Sequence, residues 1–143
     1  MNNLKQISKN QIDVLEKLNV LAVYLIGSRA TGVFRKNSDY DFAVLIDPVK
    51  WGSFDEKEVY DQIYDILDSL IPDQKVSNPL GMDIIFLHKS PSYYTIHSIK
   101  EGIVIYDKDI DKRKEFEELS VLKYADFEPF RKEQEEAILS FIH

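Results

Sequence analysis

Two stretches decide the fold: Val20-Leu21-Ala22-Val23-Tyr24-Leu25-Ile26-Gly27-Ser28 and, ten residues later, Asp39-Tyr40-Asp41-Phe42-Ala43-Val44-Leu45-Ile46. Each carries a nearly unbroken run of apolar, often branched side chains, the pattern of a strand buried on both faces. The first run stops at Gly27-Ser28, a turn signal. The second closes at Asp47-Pro48, because Pro48 cannot continue a central strand. Upstream, Ile12, Leu15 and Leu18 recur at helical spacing, and Ser8 with Gln11 three residues on suits a capping box. Downstream, Val59, Ile63, Ile66, Leu67 and Leu70 predict a helix from Asp55, its N-cap, to Ile71, with Pro72 beyond its end. Gly81 opens a third strand over Met82 to Leu87. A further helix is predicted over Ser92 to Lys100 before Gly102, then a short edge strand over Ile103 to Tyr106. Alternating helices and strands give an α+β chain with α/β-type alternation, a small sheet with helices packed on it.

The chain has 143 residues, the size of one domain, and is 44% hydrophobic and 30% charged, which suits a packed core and excludes a disordered chain. Residues 107–143 read as a charge-dense C-terminal helical extension, with Phe116, Leu119, Leu122 and later Ile138, Phe141 and Ile142 at helical spacing and a break near Pro129. With 25 acidic against 18 basic residues the net charge is -7, which argues against direct binding to nucleic-acid backbones. There is no cysteine, so thiolate metal sites and cysteine nucleophiles drop out. Neither a signal-peptide core nor an apolar run of about 20 residues occurs, so no membrane partner is expected and the expected location is cytoplasmic.

Asp39 and Asp41 stand two apart at the start of a strand, so their side chains leave one face while Tyr40 and Phe42 leave the other. Ala43 and Leu45 continue the acidic face as apolar positions, which sets the acids at the mouth of a buried element. Asp83 holds the equivalent place ahead of Ile84-Ile85-Phe86-Leu87. If the two strands are neighbours, three carboxylates converge, and either a proton or a cation must relieve their repulsion. All-oxygen donors favour Mg²⁺ or Mn²⁺, whose shell is completed by water and phosphate oxygen, so the acids point to a nucleoside triphosphate. An isolated Asp-x-Asp can equally be a turn cap and an exposed strand end. Gly27-Ser28 tips the balance, since a glycine lets phosphate approach the backbone and Ser28 would cap a short helical turn. The segment Gly27-Ser28-Arg29-Ala30-Thr31-Gly32 does not complete a Walker A loop.

Ile26-Gly27-Ser28, ten residues, Asp39-Tyr40-Asp41-Phe42 and the later Asp83 together resemble the signature of the DNA polymerase β-like nucleotidyltransferase superfamily, over Val20 to Leu87. The short chain is similar to the minimal nucleotidyltransferases that act as antitoxins beside HEPN-domain toxins. The resemblance implies a polymerase β palm-like nucleotidyltransferase fold: a small mixed sheet flanked by helices with C-terminal helices, residues 1–143 forming a single domain with a catalytic core over 1–106. It implies that Asp39 and Asp41 hold two divalent ions, that Asp83 supplies the third carboxylate beside the acceptor hydroxyl, and that Gly27 and Ser28 hold the triphosphate. Three carboxylates and a triphosphate carry about seven negative charges, of which two Mg²⁺ would offset about four. Arg29, in the cationic segment that also contains Arg35 and Lys36, is the expected phosphate contact. His88, His97 and His143 show no ligand or triad spacing and are assigned to packing or surface. Trp51 is assigned likewise.

The activity implied is Mg²⁺-dependent transfer of AMP from ATP to a hydroxyl, with a tyrosine of a HEPN ribonuclease toxin as acceptor and partner. Two alternatives stand beside it: a small-molecule, aminoglycoside-type nucleotidyltransferase, and a non-catalytic antitoxin that neutralises its partner by contact through its terminal helices.

Overall fold

A computed structural model describes residues 3–33, 35, 38–52, 55–72, 81–89 and 92–125. Helix α1 (Lys9–Lys17) begins at the expected capping box: the Ser8 hydroxyl accepts from the Gln11 amide at 3.2 Å and the Gln11 side chain accepts from the Ser8 amide at 2.9 Å. Asn19, in the left-handed region at φ 61°, turns the chain into strand β1 (Val20–Ile26), which is buried along nearly its whole length. A single helical turn, α2 (Ser28–Thr31), leads towards β2 (Tyr40–Ile46).

Helix α3 (Glu56–Leu70) starts where Asp55 accepts hydrogen bonds from the amides of Lys57 and Glu58. It buries Val59, Ile63, Ile66, Leu67 and Leu70, the face its periodicity predicts, each worth about 1.5–3 kcal/mol relative to exposure. Then come β3 (Met82–Phe86), α4 (Ser92–Glu101), β4 (Ile103–Asp107) and a helix, α5, over 110–125. These match the expected elements to within a residue or two. The expected break near Pro129 and the apolar positions Ile138, Phe141 and Ile142 lie outside the described residues, as do residues 126–143 as a whole.

The sheet order is β3-β2-β1-β4. β1 runs antiparallel to both of its neighbours, whereas β2 and β3 are parallel, so the sheet is mixed and β4 is an edge, as expected. Side-chain alternation divides two cores. On one face Val23, Leu25, Tyr40, Phe42, Val44 and Ile46 pack with Leu15 and Leu18 and with the buried stripe of α3. On the other, Ala22, Tyr24, Ala43, Leu45 and Leu87 form a smaller core against which Phe116 of α5 packs.

A polar network fastens α5 to this second face. The Tyr24 hydroxyl donates to Glu117 at 2.8 Å, and Arg113 donates to Glu117 and to Asp107, each at 2.8 Å. Burial, then the bond to Glu117, raises the Tyr24 hydroxyl far above the usual tyrosine range, so it stays protonated and can donate. Among the described residues no helix is long and apolar enough to cross a membrane.

Candidate active site

The functional end of the sheet is built by two glycines and one parallel strand pair. At the end of β1, Gly27 adopts φ 73° and ψ -158°, a backbone that side-chain-bearing residues avoid. A Cβ there would also lie 2.6 Å from Asp41 Oδ2. Gly27 is thus required twice, for the turn and for the space that the Asp41 carboxylate occupies. Gly27 is itself the N-cap of α2, without a side-chain cap, so Ser28 opens the turn as its first residue and does not cap it as expected. Ser28 follows immediately on Gly27, whose missing side chain leaves its position beside Asp41.

The parallel register sets Asp41 directly beside Asp83, and the Tyr40 amide donates to the Gly81 carbonyl at 2.9 Å where the two strands begin. Gly81 is a site residue that the sequence reading passed over as a strand opener. A Cβ on it would overlap the Asp39 carboxylate, even more closely than one on Gly27 would approach Asp41. The available signal was a glycine one residue before a strand whose second position is an acid.

Asp39, Asp41 and Asp83 therefore gather at one end of the face that carries Ala43 and Leu45, as the spacing predicts. Asp39 and Asp83 are exposed and Asp41 is half-buried. Burial first, then the charges of Asp83 and Asp39, raises the Asp41 carboxyl above the usual carboxylate range. Both charges acting on it are negative. Among the described residues, no three His, Cys, Asp or Glu side chains form a ready-made metal cage. Mg²⁺ does not ordinarily need one, since it binds through one or two carboxylates and takes its remaining ligands from water and phosphate. Hard oxygen donors, crowded, of one sign and half open to solvent, fit such a cation.

Arg29 packs against the start of β2. It is 8% exposed; its Nε and Nη2 donate to the Ser38 carbonyl at 3.2 and 2.8 Å, and its guanidinium lies 4.3 Å from the centre of the Tyr40 ring. Arg35 is exposed, its amide donating to the Ser38 hydroxyl at 2.8 Å; Lys36 lies outside the described residues. His88 packs between Trp51 and Phe86 at ring separations of 4.3 and 5.7 Å, and burial lowers it to about 4. His97 pairs with Glu101 at 3.2 Å on the exposed side of α4. His143 lies outside the described residues.

Comparison with known proteins gives this arrangement its class. The pattern of the polymerase beta nucleotidyltransferase family matches residues 2–111, and the chain belongs to that family, whose members work with divalent metal ions. A curated relative, the protein adenylyltransferase MntA of Aphanizomenon flos-aquae, is 24% identical over 139 residues, covering 97% of this chain and 90% of the relative. Two solved structures share the fold. A toxin–antitoxin complex with AMP-PNP superposes with a TM-score of 0.64 at 18% identity, covering 91% of this chain and 97% of that one. A complex of the tri-AMPylated Shewanella oneidensis HEPN toxin with its MNT antitoxin gives 0.57 at 15% identity, covering 91% and 96%.

Proposed function

We propose that this chain transfers AMP from ATP to a hydroxyl of a HEPN-domain toxin, a tyrosine by the resemblance stated above, and so acts as an antitoxin in the cytoplasm. The observation that carries the proposal is the convergence of Asp39, Asp41 and Asp83 beside Gly27 with only negative neighbours acting on Asp41. The curated relative's name and the AMPylated toxin in a structural neighbour support the choice of nucleotide and acceptor.

Asp39 and Asp41 would hold two Mg²⁺ ions, with Asp83 as the third carboxylate. The metal, when bound, neutralises the triphosphate and lowers the pKa of the acceptor hydroxyl. Gly27 and Ser28 would take the phosphates against the backbone of the turn. The acceptor oxygen forms its new bond to the α-phosphorus, the bond from that phosphorus to the bridging oxygen breaks, and pyrophosphate leaves. Asp83 would accept the proton that the acceptor loses.

The test is to express this chain with the HEPN-type protein encoded beside it, purify the pair and supply labelled ATP and Mg²⁺. Label is expected on a tyrosine of the partner, dependent on Asp39 and Asp41. Transfer that persists in an Asp39→Asn/Asp41→Asn double variant would falsify the assignment. A contact-only antitoxin is the second reading, favoured by the exposed Leu119, Val121 and Leu122 of α5. It predicts that the same double variant still neutralises the toxin.

A further inference from the structure

Asp39 lies just outside the ladder of the sheet. Hydrogen bonding between β2 and β3 starts at Tyr40, whose amide donates to Gly81, so among the described residues Asp39 has no strand partner to fix its backbone. Its two chain neighbours are nevertheless both gripped, and by the same side chain. Arg29 meets the Ser38 carbonyl with two N–H groups and covers the Tyr40 ring with its guanidinium face. On the far side, the bare Cα of Gly81 leaves the space that the Asp39 carboxylate fills.

We propose that Arg29 is a positioning residue: it locks the segment Ser38–Tyr40 to the turn that follows Gly27, and so sets the Asp39 carboxylate relative to the phosphate-binding turn. The inference rests on the nucleotidyltransfer reading of the site and gives Arg29 a role other than the phosphate contact expected from its charge. Three observations separate the two roles. Arg29 is almost fully buried, two of its nitrogens are committed to a backbone carbonyl, and its flat face is stacked. The last two use a property that lysine lacks, a planar fork of donors with a face that packs on a ring. Arg29 also stands one residue after Ser28 in the chain, so one side chain ties the two halves of the site together.

The test uses the full-length chain and its Arg29→Ala and Arg29→Lys variants. The first measurement needs no ligand. Hydrogen exchange across residues 38–41 is expected to quicken at least about tenfold in both variants, the loss of a charge-assisted hydrogen bond, while β1 remains protected. The second uses Mn²⁺ with AMP-PNP. Mn²⁺ affinity is expected to fall at least about tenfold in both variants. With the co-purified partner as acceptor, kcat is expected to fall while KM for ATP changes less than about threefold, because a displaced carboxylate is felt chiefly in the transition state.

Should Arg29→Ala prove too unstable to purify, Arg29→Lys, which keeps the charge and most of the stem, carries the comparison alone. Unchanged exchange over 38–41 in the lysine variant overturns the inference. So does a lysine variant with wild-type Mn²⁺ affinity and kcat beside an alanine variant whose KM for ATP rises, the signature of a phosphate contact. If the wild-type chain transfers no AMP, the functional reading fails by itself, and the exchange measurement still decides the role of Arg29.

Discussion

Asp107 and Glu117 both lie against Arg113, at 2.8 Å each, and Glu117 also accepts a hydrogen bond from the Tyr24 hydroxyl. Asp39, Asp41 and Asp83 border the same sheet, and the charges that act on Asp41 are those of Asp83 and Asp39. In the first cluster the chain supplies the countercharge, and it does so to dock α5 on the sheet. In the second the chain gathers like charges and clears space for them with Gly27 and Gly81, and the proposed function takes the countercharge from a bound cation. A grouping of carboxylates is therefore informative about function only once its partners are known. The same residue types serve packing where an arginine completes them and cation binding where nothing does.

The largest effect expected from breaking this contrast is on the chemistry. Asp39→Asn or Asp41→Asn keeps the shape of the side chain and removes its charge, and should lower the rate of AMP transfer by at least about 10²-fold, with a folded spectrum by circular dichroism. The matching change in the other cluster is Arg113→Met, which leaves Asp107 and Glu117 without their cation. Breaking a fully buried pair costs about 3–5 kcal/mol; with Arg113 15% and its partners 20% exposed, about 2 kcal/mol is expected. Urea unfolding would measure the loss, and transfer per folded molecule should remain at the wild-type level. A large loss of activity in folded Arg113→Met would show that the two clusters are coupled.

How much of this could be read from the sequence depends on whether an interaction is local. β1, β2 and the capped ends of α1 and α3 were legible because hydrophobic period and capping chemistry act within a few residues. The face shared by Asp39 and Asp41 followed from the period of two. That Asp83 joins them follows only from the parallel pairing of β2 with β3, which no local pattern encodes, though the matching position of each acid at the mouth of an apolar run made it the natural expectation. The contacts of Arg29 and Gly81 had no local signal for one reason: they are made with residues 9 to 42 positions away, Ser38 for the one and Asp39 for the other. The Tyr24–Glu117 bond, spanning 93 residues, had no signal at all.

Acid titration sharpens the comparison once a third group is removed. His88 sits between Trp51 and Phe86 with neither ring nitrogen bonded among the described residues, and burial lowers it to about 4 from 6.5. The unfolded chain takes up this proton below about 6.5 while the folded chain refuses it until about 4, so stability falls as pH drops through that window. The loss is about 2 kcal/mol for a ring that is only partly enclosed. His88→Phe, which preserves the aromatic packing, should flatten the stability profile between those pH values. An unchanged slope would mean that the ring is hydrated.

The smallest expected effect has the opposite sign, and it tests the contrast most directly. If Asp41 is held among like charges for the sake of a cation, the metal-free protein must be less stable for it. Asp41→Asn relieves the repulsion from Asp83 and Asp39 and lessens the cost of burying a charge, so it should raise the melting temperature by a few degrees at neutral pH and low salt, the shift that about 1 kcal/mol makes in a chain of this size. Mg²⁺ with AMP-PNP should then stabilise the wild type more than the variant, by mass action on the folded state. One substitution thus removes function and adds stability. A melting temperature that falls in Asp41→Asn, with or without Mg²⁺, would mean that Asp41 is satisfied by bonds within the fold and that the two clusters are alike after all.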